Sequence, residues 1–169
     1  MKRRKVRLRA PGPGDLGWVV QAHGALYARE FRYNRDFEGL VAGIVADFVR
    51  NYDATRERCW IAEVDSENAG AVFCVRQAPT VAKLRLLILD PGARGLGLGT
   101  RLVSTCIRFA RAAGYRKLVL WTQSHLAAAR AIYVNAGFRL VKTEPHRSFG
   151  RKLTGEYWEL KLNARVRSS

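Results

Sequence analysis

The sequence predicts a mixed α/β layer, in which helices pack on a sheet containing a parallel strand pair. Some short runs alternate apolar and polar residues, as half-buried strands do. Others repeat apolar residues at i, i+3 and i+4, as amphipathic helices do. The runs follow the order β, α, α, β, β, β, α, β, α, β, β. One helical run lies between strand runs at 81–89 and 117–123, which implies a right-handed parallel crossover. A chain of 169 residues, 48% hydrophobic and 26% charged, suits one domain with a sizeable core, so 1–169 is read as a single domain.

Val6 to Ala10 reads as a short strand, with Val6 and Leu8 inward and its arginines solvated. The turn "PGPGD" follows, and Asp15 is placed to cap a helix from about Leu16 to Glu30. "FRYNRD" breaks that helix. A second runs from about Phe37 to Tyr52, with Leu40, Val41, Ile44, Val45, Phe48 and Val49 at helical spacing. Strands "CWIAEV" (59–64) and "AVFCVRQ" (71–77) flank "DSENAG", a hairpin loop by composition. "VAKLRLLIL" (81–89) is the next strand. The helix from about Gly97 to Ala113 buries Leu98, Leu102, Cys106, Ile107 and Ala110. "KLVLWTQ" (117–123) is a strand, and "LAAARAIYVNAG" (126–137) is a helix that Gly137 stops. "FRLVKTEPH" and "EYWELKL" close the chain as a hairpin across a long loop, 147–155.

No apolar run is long enough to cross a membrane, and the basic N-terminus lacks the apolar core of a secretory signal. The expectation is a cytoplasmic protein without a membrane partner. Cys59, Cys74 and Cys106 are odd in number and widely spaced, as reduced core cysteines are. No His, Cys and Asp cluster has metal-ligand spacing, so no metal is expected. Thirty basic residues against 14 acidic give a net charge of +16, a surface that attracts polyanions such as nucleic acid or a phosphorylated cofactor.

The stretch "LDPGARGLGLGTRLV" (89–103) joins a strand to a helix through Gly95, Gly97 and Gly99. Such a turn leaves backbone N–H groups bare at the positive end of a helix, where phosphate binds. It is not a P-loop, because Thr100 and Arg101 stand where lysine and a hydroxyl residue are required. It is not a dinucleotide fingerprint either, because Thr100 replaces the third glycine. Arg94, Gly97 and Gly99 fit R-x-x-G-x-G, and Ala129, Tyr133, Gly137 and Phe138 fit A-x-x-x-Y-x-x-x-G-F on the next helix. Both motifs resemble those of the GNAT superfamily of N-acetyltransferases. "PGDLGWVV", "HGALYAREF", "RERCWIAEV" and "PHRSFG" further resemble the acetyltransferase domain of a subgroup fused to a winged-helix regulator, here without room for the regulator.

The resemblance implies a mostly antiparallel sheet flanked by helices, with one parallel pair splayed beside the cofactor. It implies acetyl-CoA as donor and an amine as acceptor. Arg94, Gly95, Leu96, Gly97, Leu98, Gly99 and Thr100 would hold the pyrophosphate through their amides. The main chain of Leu87, Ile88 and Leu89 would pair with the pantetheine arm like an added strand. An N–H near Leu89 would face the thioester oxygen, and Tyr133 would protonate the departing thiolate. Many members carry an asparagine where Leu126 stands here; Gln123 and Ser124 are the nearby substitutes.

Deprotonating an alkyl ammonium at neutral pH costs roughly 4 to 5 kcal/mol. The strand before the glycine loop carries no glutamate to help. Counting by two back from Leu89 and Leu87 puts Arg85 and Lys83 on their face, a cationic floor that suits an acceptor with its own carboxylate. His23, Tyr27 and Glu30 share a helical face that would roof the acceptor. Glu30 is the candidate base, Tyr27 an acceptor contact, and His146 of "PHRSFG" a further acceptor residue; His125 is placed to cap the tyrosine helix.

The expected reaction is acetyl transfer to a small amine or amino acid. One alternative is acetylation of a protein lysine or N-terminus, for which a long 147–155 loop would wall a peptide groove. Another is a nucleic-acid-binding module on this fold, supported by the charge and by "KRRKVRLR". Against it, Trp18, Trp60, Trp121 and Trp158 sit among apolar neighbours rather than interleaved with arginines. Many superfamily members form homodimers, and no sequence feature decides that here.

Overall fold

A computed structural model describes residues 3–163. In chain order the elements are β1 (Val6–Arg9), α1 (Asp15–Phe31), α2 (Arg35–Arg50), β2 (Arg58–Val64), β3 (Glu67–Ala78) and β4 (Val81–Leu89). There follow α3 (Leu98–Ala112), β5 (Lys117–Gln123), α4 (Ala127–Ala136), β6 (Arg139–Ser148) and β7 (Arg151–Lys161). The seven strands form one sheet in the order β1-β2-β3-β4-β5-β7-β6. Neighbours pair antiparallel except β4 and β5, which are parallel.

That parallel pair is short. It joins Val81 to Lys117, Ala82 to Leu118 and Lys83 to Val119, then parts. Beyond Lys83, β4 has an edge unpaired to β5, and the two strands frame a gap. Helices α1 and α2 cover one face of the sheet, where Val19, Val41 and Phe48 pack on Ile61, Phe73 and Ile88. Helices α3 and α4 cover the other, where Leu102, Cys106 and Tyr133 pack with Val72, Leu84, Leu118 and Trp158. Each fully buried large apolar side chain contributes about 1.5 to 3 kcal/mol. All three cysteines lie buried and unbonded in these layers.

Local chemistry moved several boundaries. Asp15 does not cap α1; Gly14, in the left-handed region at φ 86°, does. Asp15 is instead the first helical residue and is buried. It accepts from Arg9 and Asn68, and from the Gly12 amide at 2.6 Å. The neighbouring Arg9 guanidinium holds its carboxyl well below the usual range. Arg9 is therefore not a solvated strand arginine: it also reaches Glu63 at 2.6 Å and Asn68 at 3.0 Å, tying β1 to β2 and α1. Leu40 and Val49 extend the apolar stripe of α2 but stay exposed, while Val41, Val45 and Phe48 are buried.

Two loops are shorter than their composition suggests. Asp65 and Ser66 both take positive φ, the pattern of a two-residue hairpin turn, so Glu67–Gly70 belongs to β3. Phe149 and Gly150 do the same between β6 and β7, replacing the expected long 147–155 loop. This tight turn docks on the α1–α2 junction. Asn34 N donates to Phe149 O at 3.0 Å, and Arg151 Nη1 donates to Phe31 O at 2.6 Å.

A bulge in β4 has the largest consequence. Arg85 pairs with Phe73 and Ile88 with Ala71, so three steps on β4 oppose two on β3. Leu86 absorbs the extra residue at φ 53°. Side-chain alternation shifts there. Ala82, Leu84, Leu87 and Leu89 face α3 and α4, whereas Leu86 and Ile88 face α1 and α2.

Candidate active site

At the start of α3 the backbone is bare. Gly95 and Gly97 take φ 81° and 68°, and a Cβ on either would meet nothing within 4 Å. Gly97 caps α3 without a side-chain bond. Arg101 N makes the first intrahelical bond back to Gly97 O, so the amides of Leu98, Gly99 and Thr100 have no helical partner. Free N–H groups and the positive helix end together favour an anion. Gly99 does a different job: a Cβ there would lie 2.7 Å from Ile132 Cδ1 and 3.1 Å from Leu89 Cδ1. Its hydrogen lets α4 and β4 close on the helix start.

A groove of about 520 Å³ runs past this loop, lined by Leu87–Leu89, Gly95, Gly97–Thr100 and the first turn of α4. Its size falls within the range of small-molecule sites. Leu96 is not part of its wall and is 41% exposed. Arg94 Nη2 lies 2.8 Å from both carboxylate oxygens of Glu30, which joins α1 to the loop across the groove mouth. The sequence-based candidate base is thus tied to the glycine loop.

A second cavity of about 130 Å³ lies on the α1 and α2 side of the β4–β5 gap. It shares Tyr27, Leu87, Leu126 and Ala129 with the groove, so the two lie side by side. Tyr27 stacks on Phe37 at 4.5 Å, and Tyr33 stacks on Phe149 at 5.1 Å, giving an aromatic roof. Burial and the charge of Glu30 push the Tyr27 hydroxyl up to about 12. His23 is buried in the same wall, and its Nδ1–H donates to Val19 O at 2.8 Å. Burial lowers its pKa to about 4, so it is a neutral imidazole at physiological pH with Nε2 unprotonated.

Lys83 and Arg85 do line this cavity, though not for the reason that counting by two supplies. The bulge puts them on the face opposite Leu87 and Leu89. Burial, then the neighbouring Arg85 charge, lowers the Lys83 pKa; burial lowers that of Arg85 against the pull of Asp47. Tyr133 also reaches the cavity from α4, with its ring 5.7 Å from Phe138 in the core. Among the described residues nothing hydrogen-bonds its hydroxyl, and burial holds that hydroxyl above its ordinary pKa.

His146 stands one layer back. Its Nε2 lies 2.9 Å from Gln123 Oε1 and its Nδ1 2.9 Å from Ser148 Oγ, so it orients Gln123, a cavity residue. His125 does not cap α4; Leu126 holds that position. Its Nε2 is 2.7 Å from Tyr33 Oη. Sequence reading missed Tyr33, Phe37, Trp121 and Phe149. The aromatic-rich "FRYNRDF" was the available signal, and it reads only as a helix break.

Gly155, behind Trp121, offers a direct test of this wall. A Cβ there would sit 2.8 Å from Trp121 Nε1 and 3.1 Å from two ring carbons. Gly155→Ala is expected to destabilise by about 1 to 3 kcal/mol and to raise acceptor KM as the indole shifts. Thermal melts with acceptor titrations check it; an unchanged Tm and KM would show that the ring moves freely.

The short parallel pair, the parted edge and the bare helix start define an acyltransferase architecture, with a groove past the glycine loop and a smaller cavity beside it. The profile of the acetyltransferase (GNAT) family matches residues 24–138, and the chain belongs to that family. An uncharacterized N-acetyltransferase of Schizosaccharomyces pombe is 30% identical over 136 residues, 78% of each chain. Human N-acetyltransferase 8 is 32% identical over 101 residues, 56% of this chain and 44% of its own length. The chain thus spans about half the length of the mammalian relatives it matches. The putative acetyltransferase yncA of Salmonella typhimurium, solved with acetyl-CoA, shares the fold with a TM-score of 0.77. Its identity is 18%, over 97% of this chain and 98% of that one. A ribosomal-protein-alanine N-acetyltransferase of Brucella melitensis shares it with a TM-score of 0.75 at 19% identity, over 92% and 99%. Among the described residues, no helix is long and apolar enough to cross a membrane.

Proposed function

We propose that this protein transfers an acetyl group from acetyl-CoA to the primary amine of a small molecule. The observation that carries the reading is the side-by-side placing of the two cavities at the parted β4 edge. Residues present fit the donor: Gly95 and Gly97 open onto the groove, and the amides of Leu98–Thr100 lack helical partners, as a pyrophosphate requires. Acetyl-CoA supplies an acyl group activated as a thioester. The backbone of Leu87–Leu89 offers N–H and C=O groups to an extended arm, and one N–H there polarises the acyl carbonyl. The amine enters as the free base. As its N–C bond forms and the C–S bond breaks, Tyr133 gives its proton to the sulfur, and the amine's surplus proton passes through water to reprotonate Tyr133.

The acceptor cavity contains no Asp or Glu among its lining residues. His23, near 4, and Tyr27, near 12, do not titrate at neutral pH. We therefore expect kcat/KM to rise about tenfold per pH unit until the pH nears the acceptor's own pKa. A bell with an acid limb near neutrality would instead reveal an enzymatic base. The cavity's modest volume and the two-residue turn at Phe149 and Gly150 count against a peptide groove. Thermal shift with acetyl-CoA, CoA, NAD and single-stranded DNA tests the donor. At about 100 times Kd a ligand stabilises by roughly 2.7 kcal/mol. A shift with acetyl-CoA that persists at moderate salt supports the transferase; a salt-sensitive shift with DNA alone would sink it.

A further inference from the structure

Lys83 and Arg85 stand two residues apart on one face of β4, both half-buried. Among the described residues neither has a carboxylate within ion-pair distance. Asp47, whose charge Arg85 feels, lies in an adjoining cavity, 72% exposed and paired with Arg50. Two like charges partly stripped of water, with no carboxylate in direct contact, are costly to hold. Trp121 lines the same wall, but its buried Nε1 faces Gly155 on β7, where a Cβ would lie 2.8 Å away. Both cations are donors without a carboxylate in contact, so the matching ligand brings anionic oxygens. The remaining wall is apolar, formed by Phe37, Leu40, Val41 and Ile44.

Resting on the small-amine reading above, we propose that the acceptor is a free amino acid with an apolar side chain. Its carboxylate is held by Lys83 and Arg85, and its side chain lies against Phe37, Leu40 and Ile44. Its amine remains beside Leu87 and Tyr133. The bulge at Leu86 makes this arrangement geometrically available. It keeps the two cations on the acceptor face while Leu87 and Leu89 turn toward α3 and α4. Arg85 and Leu87 lie roughly 7 Å apart along the strand, a span that a long side chain and an amino acid bridge together.

The test compares leucine, valine, methionine and phenylalanine with their carboxamides and with the corresponding amines lacking the carboxylate. Thiol release from acetyl-CoA is read at equal free-amine concentration. The acids are expected to exceed the amides in kcat/KM by tenfold or more. In Lys83→Met and Arg85→Met that ratio should fall toward one while the acetyl-CoA thermal shift persists. Amides or plain amines that match the acids in the wild-type protein overturn the proposal and leave small-amine transfer standing. If acetyl-CoA binds but no small amine is acetylated, the broader reading falls, and this one with it. Should either variant fail to fold, the wild-type acid-to-amide ratio decides alone.

Discussion

Tyr133→Phe is expected to lower kcat by roughly 10²- to 10³-fold while Tm and acetyl-CoA affinity stay close to wild type. The ring belongs to the core between the sheet and α3, where it is 5% exposed and packs edge-on against Phe138. Phenylalanine keeps that packing. The lost hydroxyl costs no internal hydrogen bond, because among the described residues it makes none, so the stability change should be small. The chemical change is larger. Burial holds the phenol protonated across the neutral range, as a proton donor to a leaving thiolate must be. Without it the thiolate departs unprotonated into a poorly solvated gap. Single-turnover rates with an acceptor, set beside thermal melts and donor titrations, separate the roles. A kcat within threefold of wild type would remove Tyr133 from the mechanism, and a loss confined to Tm would make it a core residue only.

The parts of this fold that were legible in sequence are those that local physics decides. Period-two alternation located β4 and β5 to the residue, and the glycine spacing located the loop that lines the groove. Three features were not legible, each because a tertiary partner overrode a local rule. Asp15 has the composition of a helix cap, yet Arg9 and Asn68 draw it into a buried ion network. The bulge at Leu86 has no glycine to announce it, so strict alternation assigned Lys83 and Arg85 to the wrong face. The roof residues Tyr33 and Phe37 flank the start of α2, but Phe149 comes from the β6–β7 turn, and no window of sequence contains all three. Glu30 shows the limit of helical-face reasoning. It shares a side of α1 with His23 and Tyr27, but a loop 64 residues away claims its carboxylate.

Gly97→Val should weaken acetyl-CoA binding by about 30- to 1,000-fold, equivalent to roughly 2 to 4 kcal/mol, with a modest fall in Tm. Gly97 sits at φ 68°, where an L-residue pays about 1 to 2 kcal/mol and a β-branched one more. The protein has two ways to respond, and both harm the site. If the backbone holds, the isopropyl group projects into space that is open beside the groove. If it flips to relieve the strain, the amides of Leu98–Thr100 re-aim, and the helix start no longer converges on one anion. Hydrogen bonds to a charged group contribute about 1.5 to 3 kcal/mol each, so losing one or two accounts for the predicted range. Gly99→Ala separates this effect from packing. Its Cβ would strike Ile132 and Leu89 rather than the phosphate space, so it should cost stability more than affinity. Calorimetric Kd values for acetyl-CoA alongside Tm for both variants decide the matter. If Gly97→Val binds normally, the pyrophosphate does not rest on the start of α3, and the groove would have to hold its ligand by Arg94 and the β4 edge alone.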